Sequence, residues 1–212
     1  MVRMPESRPY HHGDLRAALL AGAERTLREK GAATLSLREL ARETGVSHAA
    51  PGRHFKDKQA LLDALALTGF ERLTETVVTA DDPALPIEER LTHLARAYLG
   101  FAIENAALLE LMYARKHDPD VSQQLAAAVE RTIEPFVRLI EGAQQRGEIV
   151  EGDPEHITLI TGATLHGIAA FAANGSLPAR AALDGIGELV HHLLHGLRPR
   201  RPLATEPGHT GR

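Results

Sequence analysis

The sequence predicts an all-α protein of about nine helices. Apolar residues recur at helical spacing through most of the 212 residues, glycines and prolines separate these segments, and no stretch alternates with the period of a β-strand. Apolar residues make up 43% of the chain and charged residues 25%, which is ordinary for a soluble globular protein. The lack of cysteine excludes disulfide and thiol chemistry.

Two helices are predicted before residue 45. Apolar positions on one helix face run through 14–30, and Gly31 is a glycine stop. The stretch Ser36-Leu37-Arg38-Glu39 has the form of a capping box, in which a serine and a glutamate satisfy each other's backbone donors. A second, short helix is therefore expected over 36–43.

A third helix is expected over 47–55, with Ser47 as its cap. Residues 44–46 join it to the second helix, and a short connection that contains glycine is typical of a helix-turn-helix. In that motif the second helix enters the major groove of DNA and its first residues meet base edges, which here are Ser47, His48 and Ala49. The basic residues that follow suit phosphates, and they are Arg53, His54, Lys56 and Lys58.

The charge of the chain is divided unevenly. Residues 1–60 have a net charge of +4 and the remainder has −8, which gives the total of −4. A basic front end on an acidic body suggests that the front end meets a polyanion.

Longer helices follow. Asp57 can cap one that runs to about Ala80, and Pro119 is expected to open another that Pro135 kinks. Residues 157–179 have no formal charge, but their several polar residues indicate a buried helix and a loop rather than a membrane span. The helices predicted after residue 56 are 57–80, 87–101, 108–113, 119–145, 157–173 and 179–197.

A resemblance to a known family lies in residues 10–70, in the stretches YHHGDLRAALL, SLRELARETGVSHAAPGRHFKDKQALLDAL and the Gly69-Phe70 that follows. These stretches are similar to the TetR (tetracycline-repressor-like) family of bacterial transcription regulators. The resemblance implies a three-helix DNA-binding domain whose fourth helix leads into a ligand-binding body. It also implies that Ser36 and Arg38 touch the DNA backbone, that 47–54 is the recognition helix and that Lys58 meets a phosphate.

One position departs from the family pattern. The family usually has an aromatic residue, mostly Tyr, directly before Arg53, and that side chain contacts a phosphate; here the residue is Gly52. Glycine also costs a helix about 0.5–1 kcal/mol relative to alanine. Pro51 is common in this branch of the family, near a first turn that tolerates its missing donor. We expect DNA binding to persist through the remaining basic residues, and the alternative is near inactivity.

The second half resembles the C-terminal domain that a Trp-His-Gly triplet often marks, through EPFVRLI, the turn at Gly147 and DPEHITLITGATLHGIAAF. The triplet here is Leu165-His166-Gly167, so the Trp is missing. The resemblance implies a homodimer, held by a four-helix interface from the last two helices of each subunit. Two DNA-binding domains would then meet an inverted-repeat operator.

The resemblance implies four parts in the chain. They are a helix-turn-helix domain over 1–56, a linking helix over 57–80, a ligand-binding and dimerisation domain over 81–197, and a disordered tail over 198–212. The tail is rich in Arg, Pro and Gly, a composition that does not build a packed core.

The family implies a small-molecule pocket between the helices at 87–101 and 119–145. An effector there would shift the population towards a state that binds the operator less well. Four polar residues nearby are expected mostly at the solvated surface, namely Arg96, Glu104, Arg115 and His117. Seven residues are candidates to line the pocket, although plain core is the favoured role for each, and they are Tyr98, Phe101, Met112, Tyr113, Phe136, Ile140 and His166.

Two other classes of protein stay open. His191 and His195 have the i, i+4 spacing that can bind Zn²⁺, but HHLLH has no internal glutamate as general base, so an exposed face of a terminal helix is favoured. We therefore predict no catalytic residue, no metal site and no cofactor, and a zinc-dependent enzyme is a weak alternative. The other is an architectural DNA-binding dimer without a ligand. We expect a cytoplasmic location, because the N-terminus has no secretory signal, and repression as the mode of action.

Overall fold

The computed structural model describes residues 12–196, and this part of the chain is helical throughout. Between residues 12 and 196 it contains nine α-helices, which confirms the all-α prediction, and two 3₁₀ helices, Ala32–Thr34 and Pro51–Arg53. The α-helices are α1 (His12–Lys30), α2 (Leu37–Glu43), α3 (Lys58–Ala80), α4 (Ile87–Glu104), α5 (Ala106–Lys116), α6 (Gln123–Gln145), α7 (Pro154–Ala173), α8 (Ala179–Asp184) and α9 (Ile186–His195). The expected tail lies outside the described residues.

The central element is α3, which connects two parts. We call residues 12–57 the head and α4 to α9 the body. The helix α3 packs against α1 of the head and against α4, α5 and α6 of the body, while α4 packs on its other side against α7 and α9. The Asp57 carboxylate accepts the Ala60 N–H at 2.8 Å, which confirms the predicted cap of α3. One apolar core therefore runs from head to body.

The predicted glycine turn after α2 is present. Gly45 has a φ of +69°, a conformation that glycine adopts without strain. The Val46 N–H donates to the Ala41 carbonyl at 3.0 Å and the Gly45 N–H to the Arg42 carbonyl at 3.2 Å, which is the hydrogen-bond pattern of a Schellman motif. This turn fixes the direction in which the chain leaves α2.

The predicted capping box at the start of α2 does not form. Ser36 occupies the N-cap position, but within residues 12–196 its hydroxyl makes no capping hydrogen bond. Glu39, its expected partner, instead accepts a hydrogen bond from Arg42 at 3.0 Å, so its carboxylate is engaged one turn further along. The helix begins at Leu37 without a side-chain cap.

The segment after the glycine turn is not an α-helix, which corrects the prediction for 47–55. Turns lead into a single 3₁₀ turn over Pro51–Arg53. The hydrogen bonds span three residues, from the Ala50 N–H to the Ser47 carbonyl at 2.9 Å and from the Arg53 N–H to the Ala50 carbonyl at 3.2 Å. Pro51 favours this, because it has no N–H to donate to the Ser47 carbonyl, which accepts the Ala50 N–H instead in a three-residue turn.

The start of α6 also differs from the prediction. The helix begins at Gln123 rather than at Pro119, because the Ser122 hydroxyl accepts the Leu125 N–H at 3.3 Å and so caps the first turn. Pro135 lies inside α6, which continues past it. The kink expected there stays a prediction.

The single helix predicted over 179–197 is two helices, α8 and α9. Gly185 separates them with a ψ of −1°, far from the helical value near −42°. A side chain at this position would be crowded, since an added Cβ would lie 3.2 Å from the Ala181 carbonyl oxygen. Ile186, the first residue of α9, is almost fully buried and anchors the new direction.

The helix α7 is largely exposed, which corrects the expectation of a buried helix. Within the described part of the subunit, Ala169 is its one buried residue, and Leu159, Ile160 and Phe171 are 66%, 49% and 56% exposed. Among the described residues α7 is also the one helix with the length and composition of a membrane span, although core helices of soluble proteins pass the same test. Its apolar face is uncovered in a single subunit.

Candidate nucleic-acid interface and effector site

The segment that follows α2 presents a polar and basic surface. Most of the predicted DNA-contacting residues are exposed, namely Arg38, Ser47, His48, Ala49, Gly52, Arg53 and Lys56. The other three, Ser36, His54 and Lys58, are half-buried. Hydroxyl, imidazole and guanidinium groups are therefore available to a groove and its flanking phosphates.

Buried residues behind this surface hold it in place. Pro51 and Phe55 are buried, and the N–H groups of His54 and Phe55 both donate to the Pro51 carbonyl at 2.9 Å. The guanidinium of Arg16 on α1 lies 5.5 Å from the centroid of the Phe55 ring. The loss of an α-helix at 47–55 thus leaves a segment that is anchored at its C-terminal end.

Gly52 forms a gap in the surface. It is exposed, and among the described residues a Cβ added to it would meet no atom within 4 Å. Its φ lies outside the left-handed region that favours glycine. Nothing in the local geometry therefore requires glycine, and a larger side chain fits.

Lys58 has a second role that the sequence did not indicate. Its ammonium donates to the Ala33 carbonyl at 2.8 Å, so it ties the first turn of α3 to the connection between α1 and α2. A phosphate contact from Lys58 would have to share or replace this hydrogen bond.

Three predicted effector-contacting residues meet in the body. Tyr98 of α4, Tyr113 of α5 and His166 of α7 form what we call the tyrosine–histidine cluster. The Tyr98 hydroxyl lies 3.1 Å from the Tyr113 hydroxyl and 2.9 Å from Nδ1 of His166. The rings of Tyr113 and His166 stack at a centroid distance of 3.7 Å, and the Lys116 ammonium lies 4.2 Å from the Tyr113 centroid.

Burial keeps the tyrosine–histidine cluster uncharged. It raises the pKa of Tyr98 and of Tyr113 and is the largest influence on both, so both phenols are protonated at pH 7. Burial, and then the charge of Lys116, lowers the pKa of His166, while burial also lowers the pKa of Lys116. Neutral His166 carries one N–H, so its tautomer decides whether Nδ1 accepts a hydrogen bond from the Tyr98 hydroxyl or donates one to it.

The other four candidates lie in or against the core. Phe101, Met112 and Ile140 are buried and Phe136 is half-buried. Met112 packs so closely on Gly69 of α3 that a Cβ there would lie 2.5 Å from its sulfur. Two surface cavities of the described chain, of about 300 Å³ between α3 and α6 and about 650 Å³ between head and body, do not include any of the seven.

Two polar links join α3 to its neighbours, and the sequence did not indicate either. Arg72 donates to Glu24 of α1 and to the Asn105 side chain between α4 and α5, both at 2.7 Å. The head is thereby connected to the end of the helix that contributes Tyr98.

The second link is a buried ion pair beside the larger cavity. Arg115 of α5 pairs with Asp63 of α3 at 2.7 Å and with Asp118. The other oxygen of Asp63 accepts the Ser122 N–H at 3.2 Å. Arg115 is therefore buried, because two carboxylates replace its water, whereas Arg96, Glu104 and His117 are exposed, which agrees with the expectation that most of these four residues lie at the surface.

The fold and this surface define a class of protein. A helix-turn-helix frame with an accessible polar segment, joined through one long helix to a helical body, is the architecture of a helix-turn-helix transcription regulator. Residues 19–65 match the family model of bacterial regulatory proteins, tetR family, and residues 91–197 match that of the tetracyclin repressor-like C-terminal domain. The chain belongs to the TetR family, whose members are transcription regulators and not enzymes. The Trp-His-Gly subtype stays a prediction.

Individual proteins are similar to this chain in sequence or in fold. The structure of a protein with unknown function from Rhodococcus sp. RHA1 is 44% identical, covers 90% of this chain and 99% of its own, and has a TM-score of 0.82. The transcriptional regulator FadR from Bacillus subtilis, in complex with stearoyl-CoA, shares the fold with a TM-score of 0.73 at 15% identity, over 86% of this chain and 99% of its own. The HTH-type transcriptional regulator Rv1816 of Mycobacterium tuberculosis is 28% identical over 64% of this chain, and the match spans only 59% of that relative.

Proposed function

We propose that the protein is a cytoplasmic, dimeric repressor that binds an inverted-repeat operator and is released by a small-molecule effector. The observation that carries DNA binding is the exposed surface of Ser47, His48, Ala49 and Arg53, placed directly after the glycine turn of a helix-turn-helix. Its residues offer both base-contacting and phosphate-contacting groups. Residues 1–56 form the DNA-binding domain in this proposal, and 81–197 the regulatory one.

The uncovered face of α7 supports the dimer. Its exposed leucine, isoleucine and phenylalanine lie on a helix that also exposes the small residues Gly162 and Ala163, which allow close approach of a second helix. A contiguous apolar face of this kind marks an interaction site in a soluble protein. We assign it to a four-helix contact in which α7 and the α8–α9 segment of two subunits pack together.

The tyrosine–histidine cluster supports the effector site. It joins α4, α5 and α7, so a ligand that rearranges it acts on helices that touch both α3 and the proposed dimer face. The chemistry suits a largely apolar small molecule with one group that hydrogen bonds to a phenol or an imidazole. Such a ligand binds more tightly to the conformation in which the spacing of the two heads does not match the operator. The loss of operator affinity is limited by the difference between its affinities for the two conformations.

Operator binding is tested with the DNA that flanks the gene. An inverted repeat found there should give a gel shift with the dimer, and affinity should fall steeply with added salt because lysine and arginine release counterions from phosphates. A fragment with one half-site scrambled is the control. A protein that ignores every such repeat at low salt would overturn the proposal.

Gly52→Tyr is expected to tighten the operator complex. The phenol fills the gap and gains one hydrogen bond to a phosphate in each half-site, worth about 1 kcal/mol for each subunit, so the dimer gains about 2 kcal/mol or roughly 30-fold in affinity. The slope of affinity against salt should stay the same, because the added group is neutral. Fluorescence anisotropy with the labelled operator measures both.

Gly52→Phe is the matched control, because it adds the ring without the hydroxyl. It should leave the affinity near that of the unchanged protein, and the sequence preference should stay constant in both variants. Equal gains from Tyr and Phe, or no gain from Tyr, would show that the missing phenol is not a phosphate contact.

Tyr98→Phe is expected to weaken effector binding. We screen small apolar compounds and acyl-CoAs by thermal shift, with release of the operator as the second readout. A compound that scores in both assays serves as the probe for effector binding. Loss of the Tyr98 hydroxyl should then lower its affinity roughly tenfold, because the hydrogen-bond chain to His166 is broken. Thr92→Val is the control, since its hydroxyl bonds only within α4, to the Glu88 carbonyl at 2.7 Å.

The same screen distinguishes an effector-controlled repressor from an architectural DNA-binding dimer that has no ligand. If no compound raises the melting temperature or releases DNA, the protein is an architectural DNA-binding dimer. If Thr92→Val lowers the affinity for the probe compound as much as Tyr98→Phe does, the effector binds away from the tyrosine–histidine cluster.

A further inference from the structure

Two helices bring together nitrogen and oxygen donors at a place that neither DNA nor the effector uses. Glu88 lies in the first turn of α4, and His191 and His195 lie one turn apart on α9. Nδ1 of His191 is 3.0 Å from one Glu88 carboxylate oxygen, and Nε2 of His195 is 3.1 Å from the other. One donor atom from each of the three side chains lies within 4.8 Å of the other two.

We infer that Glu88, His191 and His195 form a binding site for Zn²⁺ or a similar divalent transition-metal ion, with a fourth position open to water. Two imidazoles and one carboxylate suit this class of ion, whereas Mg²⁺ and Ca²⁺ select oxygen ligands. A tetrahedral ion with bonds of about 2.1 Å holds its ligand atoms about 3.4 Å apart. The two histidine–carboxylate distances, 3.0 and 3.1 Å, run to different Glu88 oxygens, and the three ligand atoms lie within 4.8 Å of one another, so side-chain rotations must draw them around the ion.

The three side chains are ready to bind. Their exposures are 42% for Glu88, 50% for His191 and 36% for His195, so an ion reaches them directly from solvent. The two imidazole rings lie 4.5 Å apart, on the same face of α9.

The spacing of the two histidines in the sequence does not indicate a third ligand. Both are exposed on the last helix, as expected, but Glu88 lies 103 residues before His191 and only the fold joins them. The ligands come from two helices, so a bound ion clamps the end of α9 to the start of α4. A helix of ten residues is marginal by itself, and the clamp would stabilise an element of the proposed dimer face.

The site is tested by titrating the metal-free, full-length protein with Zn²⁺ against a chromophoric chelator at neutral pH. We expect one tight equivalent. Glu88→Gln, His191→Gln and His195→Gln should each weaken it roughly tenfold or more, since each removes a direct ligand. His192→Gln is the matched control, because this neighbouring histidine points Nδ1 at the Glu188 carbonyl, at 2.7 Å, and stands outside the cluster.

The chain has 12 histidines, so a second readout is needed to separate this site from weak binding at the ten that lie outside it. Co²⁺ in the site should give the strong visible absorption of a four-coordinate ion, in the unchanged protein and in His192→Gln only. Circular dichroism of the metal-free variants checks that each is folded. If His192→Gln weakens Zn²⁺ as much as His191→Gln does, or if the unchanged protein binds Zn²⁺ no more tightly than Glu88→Gln, the inference is wrong.

Discussion

Arg115→Met should lower the free energy of unfolding by about 3–5 kcal/mol, because it removes one partner of a buried ion pair. The guanidinium is 6% exposed and neutralises Asp63, which is 8% exposed. Methionine fills similar volume but leaves the Asp63 carboxylate buried with only the Ser122 N–H as a partner. Denaturant unfolding followed by circular dichroism measures the difference.

Arg138→Met is the control for Arg115→Met. Arg138 also pairs with an acid, Glu134, but both side chains are 60% exposed, and exposed pairs of this kind contribute at most about 1 kcal/mol. A double variant of Arg115→Met with Asp63→Leu should recover part of the loss, because no charge then stays buried. Equal destabilisation by the two arginine variants would mean that the Asp63–Arg115 pair is solvated.

Phe171→Asp is expected to convert the dimer into monomers and to lower operator affinity by about 100-fold or more. The charge would enter the apolar contact that we propose for α7, and a lone head loses the gain from binding two half-sites at once. Phe171 is 56% exposed in the subunit, so the monomer itself should keep its helical content. Sedimentation velocity and operator anisotropy measure the two effects.

Val150→Asp is the control for Phe171→Asp, because it also replaces an exposed apolar side chain with a carboxylate. Val150 is more exposed than Phe171, at 74%, but precedes α7 and lies outside the proposed contact. It should remain a dimer with unchanged operator affinity. A Phe171→Asp protein that still sediments as a dimer would place the interface on another face.

The fold was predictable where local chemistry decided it. Asp57 caps α3 and Gly45 turns the chain after α2, and both act through their own backbone neighbours. The predicted helix boundaries were wrong at two places, where a single proline or glycine outweighed the helical spacing of the residues around it. Pro51 removed an α-helix that the helix-turn-helix spacing favoured, and Gly185 divided a helix that a continuous apolar face favoured. The number of α-helices in residues 12–196 still came out at nine because these two errors cancel.

The candidate sites were predictable only as single residues. Tyr98, Tyr113 and His166 were each named, but their hydrogen bonds join three helices and no spacing in the sequence indicates them. The exposure of α7 was hidden for another reason. An apolar helix in a sequence indicates burial, and the sequence does not say whether the cover comes from the same subunit or from a second one.

The close contact between Gly69 and Met112 has a consequence for how a signal reaches DNA. Gly69 lies at the middle of α3, so that about 16 Å of helix extends from it in each direction. Because Gly69 has no side chain, the Met112 side chain of α5 packs directly on the backbone of α3. We expect α3 to pivot about this contact when the body changes shape. Because the parts of α3 on the two sides of Gly69 are equally long, a displacement of its C-terminal end moves its N-terminal end, at the head, by the same distance in the opposite direction. The helix can therefore transmit a movement from the body to the head, but it does not amplify it.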